Sequence, residues 1–332
     1  MRENYLSIQY LRGAAALLVV LHHARNPYPW LFNPLEQFDG FARGVDVFFV
    51  ISGFIMAAIG SRESPIDFAR KRIVRVAPIY WLTTLAAAVL LFMKKGVDPD
   101  LTEHLMKSLL FIPHLNPAGE AFPVLPPGWT LNHEMYFYAL FFLCLWTRHP
   151  VRNCCIALLA CVALGQITQP TGIVSATYTH HLLTEFAAGL LMGRYRRQIV
   201  SRPWLVWLAP VGGVLLFGTQ HWTMSTAGAA FIVMGALAWE RKIGIAGWGQ
   251  QLGNASYFTY LSHYFVLGAL LKIWARLPLS GWLQFTSLLA ACVLTSMIVG
   301  LLGHKFIEKP LTSYLNNWFS TRNKLPAVSA NP

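Results

Sequence analysis

Apolar runs of roughly 20 residues, divided by short stretches that gather the arginines and lysines, constrain this chain more than any other feature. A hydrocarbon layer about 30 Å thick takes about 20 helical residues to cross. Inside it only helices and closed barrels satisfy their own backbone hydrogen bonds. The runs are too long for barrel strands, so the pattern predicts an all-α integral membrane protein. Of the 332 residues, 55% are hydrophobic and 12% charged, about half the charged share usual in a soluble domain.

Ten spans fit, at 7–24, 44–60, 77–93, 130–147, 153–167, 180–193, 203–219, 223–239, 253–273 and 282–304. Both termini are then expected on the cytoplasmic side, with the helices grouped around a polar central cavity. That choice puts the clusters Arg70-Lys71-Arg72, Arg196-Arg197 and Arg241-Lys242 on inner loops, where positive charge orients membrane proteins. Orientation thus accounts for the formal charge of +12, and no nucleic acid partner is implied. The segment 103–115, "EHLMKSLLFIPHL", reads as an interfacial or re-entrant helix, because a span there would turn the later basic clusters outward. Residues 1–322 make one membrane domain, and the polar, Pro-bearing tail 323–332 is expected to be disordered. The N-terminus lacks the ordered parts of a cleaved signal, so the first helix is expected to be retained. The five cysteines show no metal-type spacing and read as small buried hydrophobes. No metal site is expected.

Ionisable residues inside apolar spans are the candidates for chemistry. Arg12 and His23 are eleven residues apart. Eleven helical steps overshoot three turns by only about 20°, so both lie on one face, about 16 Å apart along the axis. That stripe implies a polar cavity, unless Arg12 snorkels inward and His23 rests in the interface. Asp46 opens the second span as a site residue or an interfacial cap, and Ser52 next to Gly53 lines a cavity or makes a helix contact. Arg72 and Arg75 share a face before the third span, suiting a phosphate or serving as a positive-inside anchor. Glu134 sits one turn into the fourth span, as a functional acid or an ion-pair partner. Tyr257, Tyr260 and His263 share a face of the ninth, where the tyrosines could equally be packing.

The arrangement is polarised. A histidine and a glutamate in the outer half suit acid–base work near neutral pH, and a two-arginine anion site lies at the inner face. This outlines a group carried in on an activated cytosolic donor and passed to an acceptor outside. A proton-coupled transporter or flippase would use the same residues. It would also predict inverted-repeat halves and matched broken helices, and the sequence has neither.

Six collinear motifs then carry a resemblance: Arg12-x10-His23, "GVDVFFVISGF" at 44–54, "RIVR" at 72–75, "WTLNHE" at 129–134, "SYFTYLSH" at 256–263 and "FIEKP" at 306–310. Together they resemble the acyltransferase-3 family of membrane acyltransferases, and the opening "SIQYLRGAAALLVVLHHA" is similar to its exopolysaccharide O-acetyltransferase branch. The resemblance implies transfer of an acetyl or other short acyl group from cytoplasmic acyl-CoA to sugar hydroxyls of a surface glycan. It implies the bacterial cytoplasmic (inner) membrane, no permanently bound cofactor, and a polysaccharide or lipid-linked oligosaccharide acceptor, with polysaccharide-assembly proteins as possible partners. By matched position, His23 is the essential histidine with Arg12 its helix partner. Glu134 is the family's membrane-helix glutamate, expected to fix the His23 imidazole, and Arg72 and Arg75 hold the CoA phosphates. Where many relatives carry a second acid this chain has Met135, which leaves Glu134 alone. No esterase-like domain follows the last span, so transfer is expected to finish here or to pass to a partner.

Overall fold

The computed structural model describes residues 5–25, 31–96, 99–219, 221–244 and 247–322. The tail 323–332 and Trp30 fall outside them. All regular structure among the described residues is helical. The helices are α1 Leu6–Ala24, α2 Gly44–Ala58, α3 Pro65–Lys95, α4 Pro99–Leu109, α5 Trp129–Cys144, α6 Pro150–Thr168 and α7 Ile173–Tyr178. They continue as α8 Leu183–Arg194, α9 Arg196–Val200, α10 Leu208–Gly218, α11 Trp222–Trp239, α12 Trp248–Trp274, α13 Gly281–Gly303 and α14 Lys309–Arg322. A π-turn, His304–Glu308, joins the last two.

Each of the ten apolar segments falls on helix. Five stretches are long and apolar enough to cross a membrane: Gly40–Arg62, Pro65–Lys94, Pro150–Thr168, Trp222–Lys242 and Gly281–Phe319. The other segments fall short for physical reasons. The helices α5, α8 and α10 have 16, 12 and 11 residues, under the usual crossing length. By contrast α1 and α12 are long but carry polar side chains along one face.

Segment 103–115 holds α4, whose 11 residues reach about 16 Å, half a crossing. Its underside is pinned to α3: the Tyr80 hydroxyl donates to the Ser108 carbonyl at 3.1 Å and the Trp81 indole to Leu109 at 2.8 Å. His104 and Ser108 are buried beneath it. A helix lying along the surface fits these contacts.

Two close helix crossings set the positions of the polar groups. In the α2–α8 pair, a Cβ added at Gly189 would fall 2.0 Å from the Val50 carbonyl oxygen and one at Gly53 2.1 Å from that of Phe186. Only glycine permits such backbone approach, as small residues do between membrane helices. In the α1–α12 pair, a Cβ on Gly253 would fall 2.0 Å from the Gln9 carbonyl oxygen, and Gly13 packs on Leu252. This crossing sets α1 and α12 in register. Ten residues beyond Gly13 stands His23, and ten beyond Gly253 stands His263.

Candidate active site

A narrow cavity of about 80 Å³ lies among α1, α2, α3, α5 and α12. Seven of the predicted residues line it: Arg12, Ser52, Arg72, Arg75, Glu134, Tyr257 and Tyr260. Arg12, Arg72 and Arg75 also line a vestibule of about 900 Å³, walled further by Lys71, Asn254, Lys309 and Asn316. The two spaces therefore meet at three guanidiniums.

Each element delivers its group for a local reason. Ser64 caps α3 by accepting from the Asp67 N–H at 3.2 Å, with Pro65 at the first turn, which fixes where Arg72 and Arg75 emerge two turns later. Arg72 is buried, lies over the Phe68 ring at 5.6 Å, and faces Glu63 at 3.7 Å. Glu63 is already engaged by Lys71 at 2.6 Å. Arg12 is buried at 8% exposure, and its guanidinium donates only a long 3.4 Å bond to the Gln9 side-chain oxygen. Neither Arg12 nor Arg75 has a carboxylate within ion-pair distance among the described residues. Cations removed from water are costly unless paired, so the junction has the charge to accept an anion.

Glu134 accepts from the Ser52 hydroxyl at 3.1 Å and, one turn further along α5, from the Tyr138 hydroxyl. It is the carboxylate in the narrow cavity, and its charge attracts Arg12. The expected contact between Glu134 and His23 is not formed. The His23 Nδ1 lies 2.9 Å from the Val19 carbonyl oxygen, and the ring packs against His263 with centroids 5.0 Å apart. The reason is depth: Glu134 faces the cavity at the level of Arg12, while His23 stands three turns farther along α1. His23 is exposed at the end of its helix, whereas His263 is fully buried.

Three predicted residues lie outside the cavity lining: His23, His263 and Asp46. Asp46 is buried in the α2–α8 interface, 3.8 Å from the Arg43 guanidinium and beside the buried carboxyl of Glu185. It is a packing-interface acid and not a wall of the cavity. The tyrosines do both of the jobs weighed for them. They line the cavity, and their hydroxyls brace it: Tyr257 donates to the Val76 carbonyl at 2.7 Å and Tyr260 to Pro127 at 2.9 Å. The Tyr260 ring also lies 6.0 Å from that of His263, so it divides the cavity from the histidine pair.

Sequence reasoning missed Glu185, although a carboxylate within "LTEFAAGLLMG" carries the same signal that exposed Glu134. It also missed Tyr138, whose i+4 spacing from Glu134 was readable. A third omission is the His304–Glu308 pair, 3.0 Å apart in the π-turn and facing the vestibule. Nothing in the sequence announces a π-turn. Among the described residues no group of three or more His, Cys, Asp and Glu side chains is placed to hold a metal ion.

Residues 5–301 match the acyltransferase domain family (Acyl_transf_3). Among curated proteins the chain is similar to the exopolysaccharide production protein ExoZ of Rhizobium meliloti (strain 1021). That likeness is 35% identity over 293 residues, covering 81% of this chain and 89% of ExoZ. It is also 26% identical over 347 residues to the putative membrane-bound transacylase BcsY of Komagataeibacter xylinus, covering 93% of this chain and 83% of BcsY. No solved structure matches it significantly. A family match across nearly the whole chain, apolar crossing helices and a buried cationic cavity converge: the chain belongs to the acyltransferase family and is a membrane acyltransferase.

Proposed function

We propose that this protein moves an acetyl or other short acyl group from cytoplasmic acyl-CoA to sugar hydroxyls of an exopolysaccharide or its lipid-linked precursor. In this reading ten helices span the bacterial inner membrane with both termini inside. The observation that carries it is the meeting of vestibule and cavity at three guanidiniums with too few carboxylates. The pyrophosphate and ribose phosphate of CoA supply the missing negative charge, and planar guanidiniums match phosphate oxygens. The vestibule has room for the nucleotide, and the narrow cavity suits the thin pantetheine arm.

The chemistry follows from that seating. Arg72 and Arg75 hold the phosphates, and the thioester is carried past Arg12 toward Tyr260. Beyond it, the His23 Nε2 removes the proton from a sugar hydroxyl as the oxygen attacks the thioester carbonyl. The C–S bond breaks and the CoA thiolate departs, recovering a proton from the imidazolium. Glu134 acts on the donor side, where its charge balances Arg12 and its bonds to Ser52 and Tyr138 stiffen the cavity. The likeness to ExoZ, an exopolysaccharide production protein, supports a glycan acceptor, and assembly proteins of the polysaccharide are natural partners.

The test is purified protein in liposomes with acetyl-labelled CoA and an acceptor oligosaccharide, beside acetyl analysis of extracellular polysaccharide from cells with and without the protein. Label in the glycan is expected. Unlabelled oligosaccharide in the liposomes, together with the same acetyl content in the polysaccharide of both cells, would end this reading.

A further inference from the structure

His263 holds a buried nitrogen that the reaction outlined above leaves without use. The residue is 0% exposed, its Nδ1 lies 2.6 Å from the Tyr260 carbonyl oxygen, and its Nε2 has no hydrogen-bond partner among the described residues. Its neighbour His23 is arranged alike, with Nδ1 2.9 Å from the Val19 carbonyl oxygen. A carbonyl oxygen can only accept, so in both rings Nδ1 carries the proton and Nε2 the lone pair. Main-chain carbonyls thereby set the tautomer that a carboxylate sets in a hydrolase triad.

Two lone pairs cannot bond to one another. The rings meet at 5.0 Å between centroids with planes tilted by 51°, and no nitrogen–nitrogen hydrogen bond joins them in this resting arrangement. Once His23 accepts a proton at Nε2, that nitrogen becomes a donor beside a buried acceptor without a partner. Of the other groups facing His23, the neighbouring His22 also has a buried Nδ1 without a partner, but its ring is less buried than that of His263. His22 meets it edge-on at 5.0 Å, and Arg25 is a cation engaged by Asp39 at 2.5 Å.

We propose that His263 is a positioning residue for acyl transfer, its Nε2 accepting a hydrogen bond from the His23 imidazolium formed as the acceptor hydroxyl is deprotonated. This rests on the transferase reading above. The hydroxyl O–H bond breaks, its proton passes to the His23 Nε2, and its electron pair forms the new ester bond. The C–S bond breaks and the thiolate takes that proton. His263 stays neutral throughout, which suits a helix interior where a fixed carboxylate would be costly. The glycine crossing of α1 and α12 holds the two rings level.

Two amides of graded length test it. In His263→Gln the side-chain oxygen takes the place of Nε2, keeping the acceptor. In His263→Asn the side-chain amide takes the place of Nδ1, keeping the donor to Tyr260 and removing the acceptor. In liposomes with acetyl-CoA and an acceptor oligosaccharide, His263→Gln is expected to retain most of kcat. His263→Asn should lose about 10- to 100-fold, the value of a hydrogen bond to a charged group. KM for acetyl-CoA should stay unchanged in both. A purely structural histidine gives the reverse order, and that order, or equal rates in the two variants, overturns the proposal. If His263→Gln does not fold, His263→Asn decides alone, full kcat counting against the proposal and a loss at constant KM for it. Absence of transfer by the unmodified protein would instead strike the functional reading itself.

Discussion

At one end of the site, the inner end in the proposed topology, three guanidiniums crowd the mouth of a vestibule of about 900 Å³ with few carboxylates to balance them. At the other, outer in that topology, two imidazoles lean on one another and donate their Nδ1 protons to main-chain carbonyls. One end carries surplus charge and open volume. The other is held by short local bonds, with His263 buried and His23 exposed. The contrast separates grip from chemistry: the charged end is fit to bind a polyanion, and the imidazole end is fit to move a proton. Tyr260, which lines the cavity and touches His263, is the hinge between them.

The largest expected effect breaks the outer end. Replacing His23 with Ala should lower kcat for acetyl transfer by about 10²- to 10⁴-fold, the usual worth of a positioned general base, with KM for acetyl-CoA changed little. Steady-state kinetics in liposomes checks this, and a raised KM with preserved kcat would merge the two ends into one binding site. The inner end should respond the opposite way. Arg75→Ala is expected to raise KM for acetyl-CoA by about 10- to 100-fold, the worth of a charge-assisted phosphate contact, at nearly constant kcat. The affinity should also weaken as salt rises.

Glu134→Gln sharpens the comparison. It keeps acceptors for Ser52 and Tyr138 but removes a negative charge from the donor's path, so KM for acetyl-CoA should fall by a few-fold. A loss as deep as that of His23→Ala would instead put Glu134 back beside the imidazole. The smallest effect lies away from both ends. Burial first, and then the neighbouring His114, push the His104 ring down to about 4. Its folded value is below the free value of about 6.5, so its contribution is full above that pH and drains away as pH falls toward 4. Thermal unfolding should shift to lower temperature between pH 7 and pH 4.5, and His104→Gln should make that shift smaller by a few °C at most.

How much of this was readable in advance divides the same way. Helix positions followed from run length, and Arg12, Arg72, Arg75 and Glu134 stood out because charges inside apolar runs are rare. The shared cavity of seven predicted residues follows from those rules. Partners did not, because they depend on register between helices far apart in sequence. His23 meets His263 through a glycine crossing of α1 and α12, and Asp46 meets Glu185 through the tight α2–α8 pair. The sequence pairs Glu134 with His23 as the two acid–base groups, but Glu134 bonds Ser52 and Tyr138 inside the cavity that Arg12 lines, three turns of α1 away from His23. Of the helices that build the site, α2 and α3 look like membrane spans, whereas polar side chains lower the apolarity of α1 and α12.

The most direct test is sidedness. In sealed membrane vesicles of known orientation, acetyl-labelled CoA would be supplied at the cytoplasmic face, with acceptor oligosaccharide enclosed on the other. The account predicts labelled oligosaccharide only in that arrangement, with none when donor and acceptor share the cytoplasmic face. Transfer that needs both on one face would contradict it.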